Sequence, residues 1–85
     1  MSVKTVLIAD NLPEFLNARK EFLELAGYKV VTAANPRDAR LVLEKGVVQL
    51  AIIDIRLEYD EDVSDDSGIT LAIEESHHYI PKILL

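Results

Sequence analysis

Hydrophobic and polar positions along this chain alternate between two rhythms. Val6-Leu7-Ile8-Ala9 is a short apolar run closed by Asp10-Asn11, which predicts a strand over residues 4–9. Pro13 then suits the first turn of a helix, where its missing N–H costs nothing. Leu12, Phe15, Leu16, Phe22, Leu23 and Ala26 recur at three- and four-residue spacing, predicting a helix over 13–26 that stops at Gly27. Residues 29–33 are β-rich and short, a second strand. Asn35-Pro36 opens a helix over 36–45, carried by Ala39, Val42 and Leu43 and ended by Gly46. Leu50-Ala51-Ile52-Ile53 belongs to a third strand over 49–54, apolar enough to be buried on both faces.

The rhythm then breaks. Residues 58–67 are acidic and without period, which predicts an exposed loop. Asp66 or Ser67 is placed to cap a third helix over 67–78, through Ile69, Leu71, Ala72 and Ile73. Pro81 ends that region, and residues 82–85 begin a fourth strand. Strands alternating with helices of this length imply βαβ units and a mainly parallel sheet. Right-handed crossovers place helices on both faces of it.

Composition narrows the picture. The chain has 85 residues, 49% hydrophobic and 28% charged, with a net charge of −6. That is a globular composition with room for one domain, and a domain this small buries only about 60–65% of its unfolded surface. There is no cysteine, so neither disulfides nor a thiolate zinc site can stiffen it. No basic stripe exists to neutralise phosphates, which argues against direct nucleic-acid binding. No apolar run approaches the roughly 18 residues that span a membrane. The N-terminus carries no long apolar leader, and a cytoplasmic location is expected.

The informative chemistry lies at two strand ends. Asp54 follows an apolar strand, where an unpaired charge is costly. Asp10 follows another, and open α/β sheets bind ligands beyond their carboxyl ends. Two strands delivering oxygen ligands to one edge point to a hard-cation site with a carboxylate nucleophile. His77-His78 is expected to be a polar helix end, since adjacent residues do not share a helix face. Lys4, Arg19, Lys20, Arg37, Arg40 and Lys45 are expected on solvated faces. Asp60, Asp62, Ser64 and Asp66 alternate like a calcium loop, but Asp65 and Leu71 stand where such a loop needs glycine and glutamate. A solvated acidic loop is the expectation there.

Taken in order, several segments resemble the receiver domain of bacterial two-component response regulators. They are Val6-Leu7-Ile8-Ala9-Asp10-Asn11-Leu12-Pro13, Phe22-Leu23-Glu24-Leu25-Ala26-Gly27-Tyr28-Lys29-Val30, Ala33-Ala34-Asn35-Pro36-Arg37-Asp38-Ala39, Ala51-Ile52-Ile53-Asp54-Ile55-Arg56-Leu57, Ser67-Gly68-Ile69-Thr70-Leu71 and Ile80-Pro81-Lys82-Ile83-Leu84-Leu85. The resemblance covers residues 1–85 but only about two thirds of the family's domain. It implies a flavodoxin-like three-layer α/β/α fold with a parallel sheet, truncated after the fourth strand, and a fragment is expected. It also implies that Asp54 accepts a phosphoryl group. Mg²⁺ would be held by Asp10, Asn11, Asp54 and the main-chain carbonyl of Arg56. The donor would be a sensor histidine kinase or phosphotransfer protein, and the chain a phosphoacceptor and switch rather than an enzyme, at most self-catalysing its phosphorylation and dephosphorylation.

Two departures qualify this. Asn11 stands where the family usually has a second acid, so weaker Mg²⁺ binding is expected. Glu58 holds a position usually proline, and the acidic stretch before Gly68 reads as an insertion. The alternative is a degenerate, non-phosphorylated receiver serving as a protein-interaction or assembly domain. An uncovered sheet edge at the fourth strand would also favour homo-oligomers.

Overall fold

In a computed structural model, residues 3–59 and 61–85 are described. Four strands, β1 (Thr5–Ala9), β2 (Lys29–Ala33), β3 (Leu50–Ile53) and β4 (Lys82–Leu84), form one sheet in the order β2-β1-β3-β4. All three pairings are parallel; Ala9 lies opposite both Ala33 and Ile53, and Ile53 opposite Leu84. Three α-helices connect them: α1 (Pro13–Leu25), α2 (Pro36–Lys45) and α3 (Ser67–Ala72).

The chain leaves β1 in one direction to reach β2 and returns past it to β3. With right-handed crossovers, α1 and α2 therefore lie on opposite faces. Along the strands the side chains alternate. Leu7, Ala9, Ala51 and Ile53 join Ala39 and Leu43 of α2 and Leu71 of α3 in one buried cluster. Val6 and Ile8 are also buried. Ile52, next to Ile8 in register, is only half-buried. Beyond it an apolar cleft is lined by Phe22, Leu23, Ile52, Ile83 and Leu85. The expectation of a third strand buried on both faces is thus corrected: α1 packs on β1 and β2 and leaves this part of the sheet open.

Local chemistry explains the boundaries of α2. The Asn35 side chain accepts the Asp38 N–H at 2.8 Å, and Gly46 closes the helix in the left-handed region at φ +70°. These are the N-cap and C-cap devices that such residues serve best. The third helix is shorter than its apolar positions imply. It ends at Ala72 rather than running to 78, and a separate 3-10 turn covers Glu75–His77. Between them Glu74 is extended (φ −65°, ψ 138°), which breaks the helical hydrogen-bond series.

Glu74 is turned toward α2, where Arg40 grips it. Arg40 Nε lies 2.9 and 3.0 Å from the two carboxylate oxygens and Nη2 lies 2.8 Å from Oε2. His77 Nε2 stands 3.2 Å from Glu74 Oε1. Hydrogen bonds from Arg40 first, and then His77, hold the Glu74 carboxyl below its ordinary value, against an opposing effect of burial. A depressed carboxyl stabilises the fold above its unfolded value and loses that contribution as pH falls through the folded one. Both partners are partly exposed, so the pair is worth about 1 kcal/mol or less. Glu74→Gln is expected to lower Tm by a few degrees at neutral pH, with the difference shrinking toward acidic pH. Melting curves of both proteins across that range check it; a pH-independent gap would remove the ion pair as its cause.

Candidate functional site

The chain reverses direction at β1, and the carboxyl ends of β1 and β3 beside that reversal are the position at which open α/β sheets bind ligands. Asp10 and Asp54 stand at those two ends. The ladder continues into both: Asp10 N–H donates to Ala33 O at 3.1 Å and Asp54 N–H to Ala9 O at 2.9 Å. Their positions are therefore set by strand register.

Asp10 is only 2% exposed. Its Oδ1 accepts the Leu12 N–H at 2.9 Å, turning the chain into α1, and its Oδ2 is held by the guanidinium of Arg19. Arg19 also lies 5.5 Å from the Phe15 ring centroid. Arg19 and Arg40, expected on solvated faces, keep 37% and 39% of their side chains exposed, and each also pairs with an acid. For Arg19 a signal was present: it fills the gap between Phe15-Leu16 and Phe22-Leu23 in the apolar stripe of α1. The stripe is itself partly exposed, and Arg19 reaches Asp10 from its edge with 37% of its side chain in solvent.

Asn11 sits beside Asp10, and its Oδ1 is buried with no hydrogen-bond partner among the described residues. Asp54 is half-buried, and its Oδ1 accepts the Arg56 N–H at 3.2 Å across a tight turn. Ile55 is tied to the end of the sheet from both sides: its N–H donates to Leu85 O at 3.0 Å, and its carbonyl accepts the Gly68 N–H at 2.9 Å. A Cβ on Gly68 would lie 2.0 Å from the carbonyl oxygen of Asp54. Glycine is what allows α3 to start against the backbone of the candidate acceptor.

The acidic loop borders the same site. Val63 and Asp65 join Asp54, Ile55, Arg56 and Leu85 around a cleft of about 410 Å³. The loop is exposed but not structureless. Asp65 Oδ2 accepts the N–H groups of Tyr59 (2.6 Å) and Glu58 (3.1 Å), while its Oδ1 accepts that of Ser67 (2.8 Å). These bonds, with the one from Tyr59 foremost, hold the Asp65 carboxyl below its usual value. Asp62 is lowered as well, first by the Ser64 hydroxyl. Asp66 occupies the cap position of α3 without a side-chain cap bond; Asp65 takes the Ser67 amide instead. Asp60, one of the alternating positions, lies outside the described residues.

No three His, Cys, Asp or Glu side chains gather as a metal cage among the described residues. What this edge of the sheet offers is the half-buried Asp54 carboxylate, the buried Asp10 carboxylate with both oxygens engaged, and a buried Asn11 amide oxygen lacking a donor. That set fits a hard cation which takes one or two carboxylates and keeps its waters. His77 stands apart from it. The expectation of two polar histidines at a helix end is corrected for His77, which is 0% exposed and paired with Glu74; His78 is exposed. No helix among the described residues is long and apolar enough to cross a membrane.

Comparisons with known proteins agree on the architecture. The chain superimposes on the MaeR response regulator bound to beryllium trifluoride with a TM-score of 0.78 at 23% identity, covering 98% of this chain and 66% of that one. A CheY-like response regulator receiver domain from Methylobacillus flagellatus gives 0.70 at 16% identity, covering 99% and 86%. The fold is that of a response-regulator receiver domain. In sequence, the response regulator GtcR of Aneurinibacillus migulanus is 41% identical over 54 residues, 64% of this chain and 22% of that protein. The receiver-like chain thus matches about a fifth of that regulator's length. No family model matches it.

Proposed function

We propose that this chain is the phosphoryl-accepting part of a phosphorelay receiver, with Asp54 as acceptor. One observation supports the reading: strand register brings Asp54 beside Asp10 at the reversal point of the sheet, where open α/β sheets bind ligands. A carboxylate oxygen of Asp54 attacks phosphorus in line. The new O–P bond forms as the P–N bond of a phosphohistidine donor breaks, and the imidazole keeps that electron pair. Asp10, Asp54, the Asn11 side-chain oxygen and the Arg56 carbonyl are the groups that would hold Mg²⁺. When bound, that ion neutralises charge on the phosphoryl oxygens. The Arg56 amide, bonded to Asp54 Oδ1, orients the carboxylate toward the crevice. A sensor histidine kinase or phosphotransfer protein is the expected donor, and the receiver its substrate and switch.

The solved MaeR structure holds beryllium trifluoride, an analogue of a phosphoryl group, and this gives a direct test. Fluorine NMR of the protein with beryllofluoride is expected to show a bound resonance that requires Mg²⁺ and disappears in Asp54→Asn. Its absence from the parent protein at saturating Mg²⁺ would favour a second reading, that of a receiver retired to protein interaction. Asn11 and the Arg19–Asp10 pair are the features in favour of that alternative.

A further inference from the structure

Both oxygens of the Asp10 carboxylate are engaged, one by the Leu12 amide and one by Arg19. A buried carboxylate needs a counter-charge, and here the protein supplies one from its own helix. Arg19 leaves α1 from its apolar stripe, lies against Phe15, and brings its guanidinium to Oδ2. Its charge is tethered, so its local concentration does not depend on the solution. A divalent cation at the same carboxylate meets a unit positive charge already in place, and like charges this close repel strongly in a partly buried site. Asn11 adds to the effect, since it contributes an oxygen without a charge. The corner formed by Asp10, Asn11, Asp54 and Arg19 carries a formal charge of only −1 with arginine present. Removing the arginine charge takes it to −2.

We propose that Arg19 is a resident counter-ion that competes with Mg²⁺ for Asp10 and so sets the cation concentration at which this site fills. The inference deepens the receiver reading and rests on the Asp10–Asp54 crevice being a cation site. Arg19 is a positioning and regulating residue here.

The test is a Mg²⁺ titration at constant ionic strength, following the backbone amide resonances of Asp10, Asn11 and Asp54 in the parent protein, Arg19→Leu, Arg19→Gln and Arg19→Lys. Leucine restores an apolar side chain to the α1 stripe. Glutamine keeps length and polarity without charge, and decides the matter if the leucine variant does not fold. Half-saturation is expected at ten-fold or more lower Mg²⁺ in the two neutral variants, with Arg19→Lys close to the parent. A purely structural role for Arg19 would not separate lysine from glutamine in this way. Equal affinity in all four proteins overturns the inference and leaves the cation site standing. Weaker binding in the neutral variants also overturns it. Saturation in none of them overturns the inference and the cation site together.

Discussion

Gly68→Ala is expected to be among the most damaging single-methyl changes in this fold. The added Cβ would lie 2.0 Å from the Asp54 carbonyl oxygen, 2.8 Å from the Asp54 carbonyl carbon and 2.9 Å from the Ile55 Cα. All three are backbone atoms, so no side chain can rotate aside. Either α3 retreats from the end of β3, stretching the 2.9 Å bond from Gly68 N–H to Ile55 O, or the turn after Asp54 moves. Overpacking of this kind costs about 1–3 kcal/mol and sometimes more. Against the roughly 5–15 kcal/mol that stabilises a small domain, that is a large share. At about 4–8 °C per kcal/mol for a chain of this size, Tm should fall by roughly 4–24 °C in a thermal melt. A drop within a degree or two would mean that α3 does not start against Asp54. The change should also shift the candidate acceptor, so phosphoryl transfer should slow even at temperatures where the variant is folded.

Much of this site was readable from sequence, because it depends on features that are local. Asn35 and Gly46 bracket α2 by chemistry confined to one helical turn at each end. Asp10 and Asp54 were readable as neighbours because each ends a short apolar run, and parallel strands align such ends. Other features depend on rotation and approach between elements, which no local pattern encodes. That Arg19 meets Asp10 follows from how α1 rolls onto β1. That Arg40 meets Glu74 requires α3 to break after Ala72, although Ile73 extends the apolar run. The sequence predicts a polar helix end at His77-His78, yet the 3-10 turn buries His77 and leaves His78 outside. Gly68 looked like part of a loop-to-helix junction; only the packed structure shows that its missing side chain makes room for the Asp54 backbone.

Asp54→Asn is expected to abolish phosphoryl acceptance while leaving the fold nearly unchanged. The amide oxygen can still accept the Arg56 N–H that now bonds Asp54 Oδ1 at 3.2 Å, so the turn keeps its geometry. What the substitution removes is the negatively charged nucleophile, and an amide does not form an acyl phosphate in its place. Stability should change by roughly 0.5 kcal/mol or less for a half-buried position whose hydrogen bond is retained. Loss of labelling with an unchanged melt separates a chemical role from a structural one.

The most direct measurement is intact mass after incubation with acetyl phosphate and saturating Mg²⁺, on the parent protein and on Asp54→Asn. The account predicts a gain of about 80 Da, one phosphoryl group, in the parent only, and its loss when Mg²⁺ is chelated. No gain in the parent at saturating Mg²⁺, or an equal gain in both proteins, would contradict the assignment of Asp54 as acceptor.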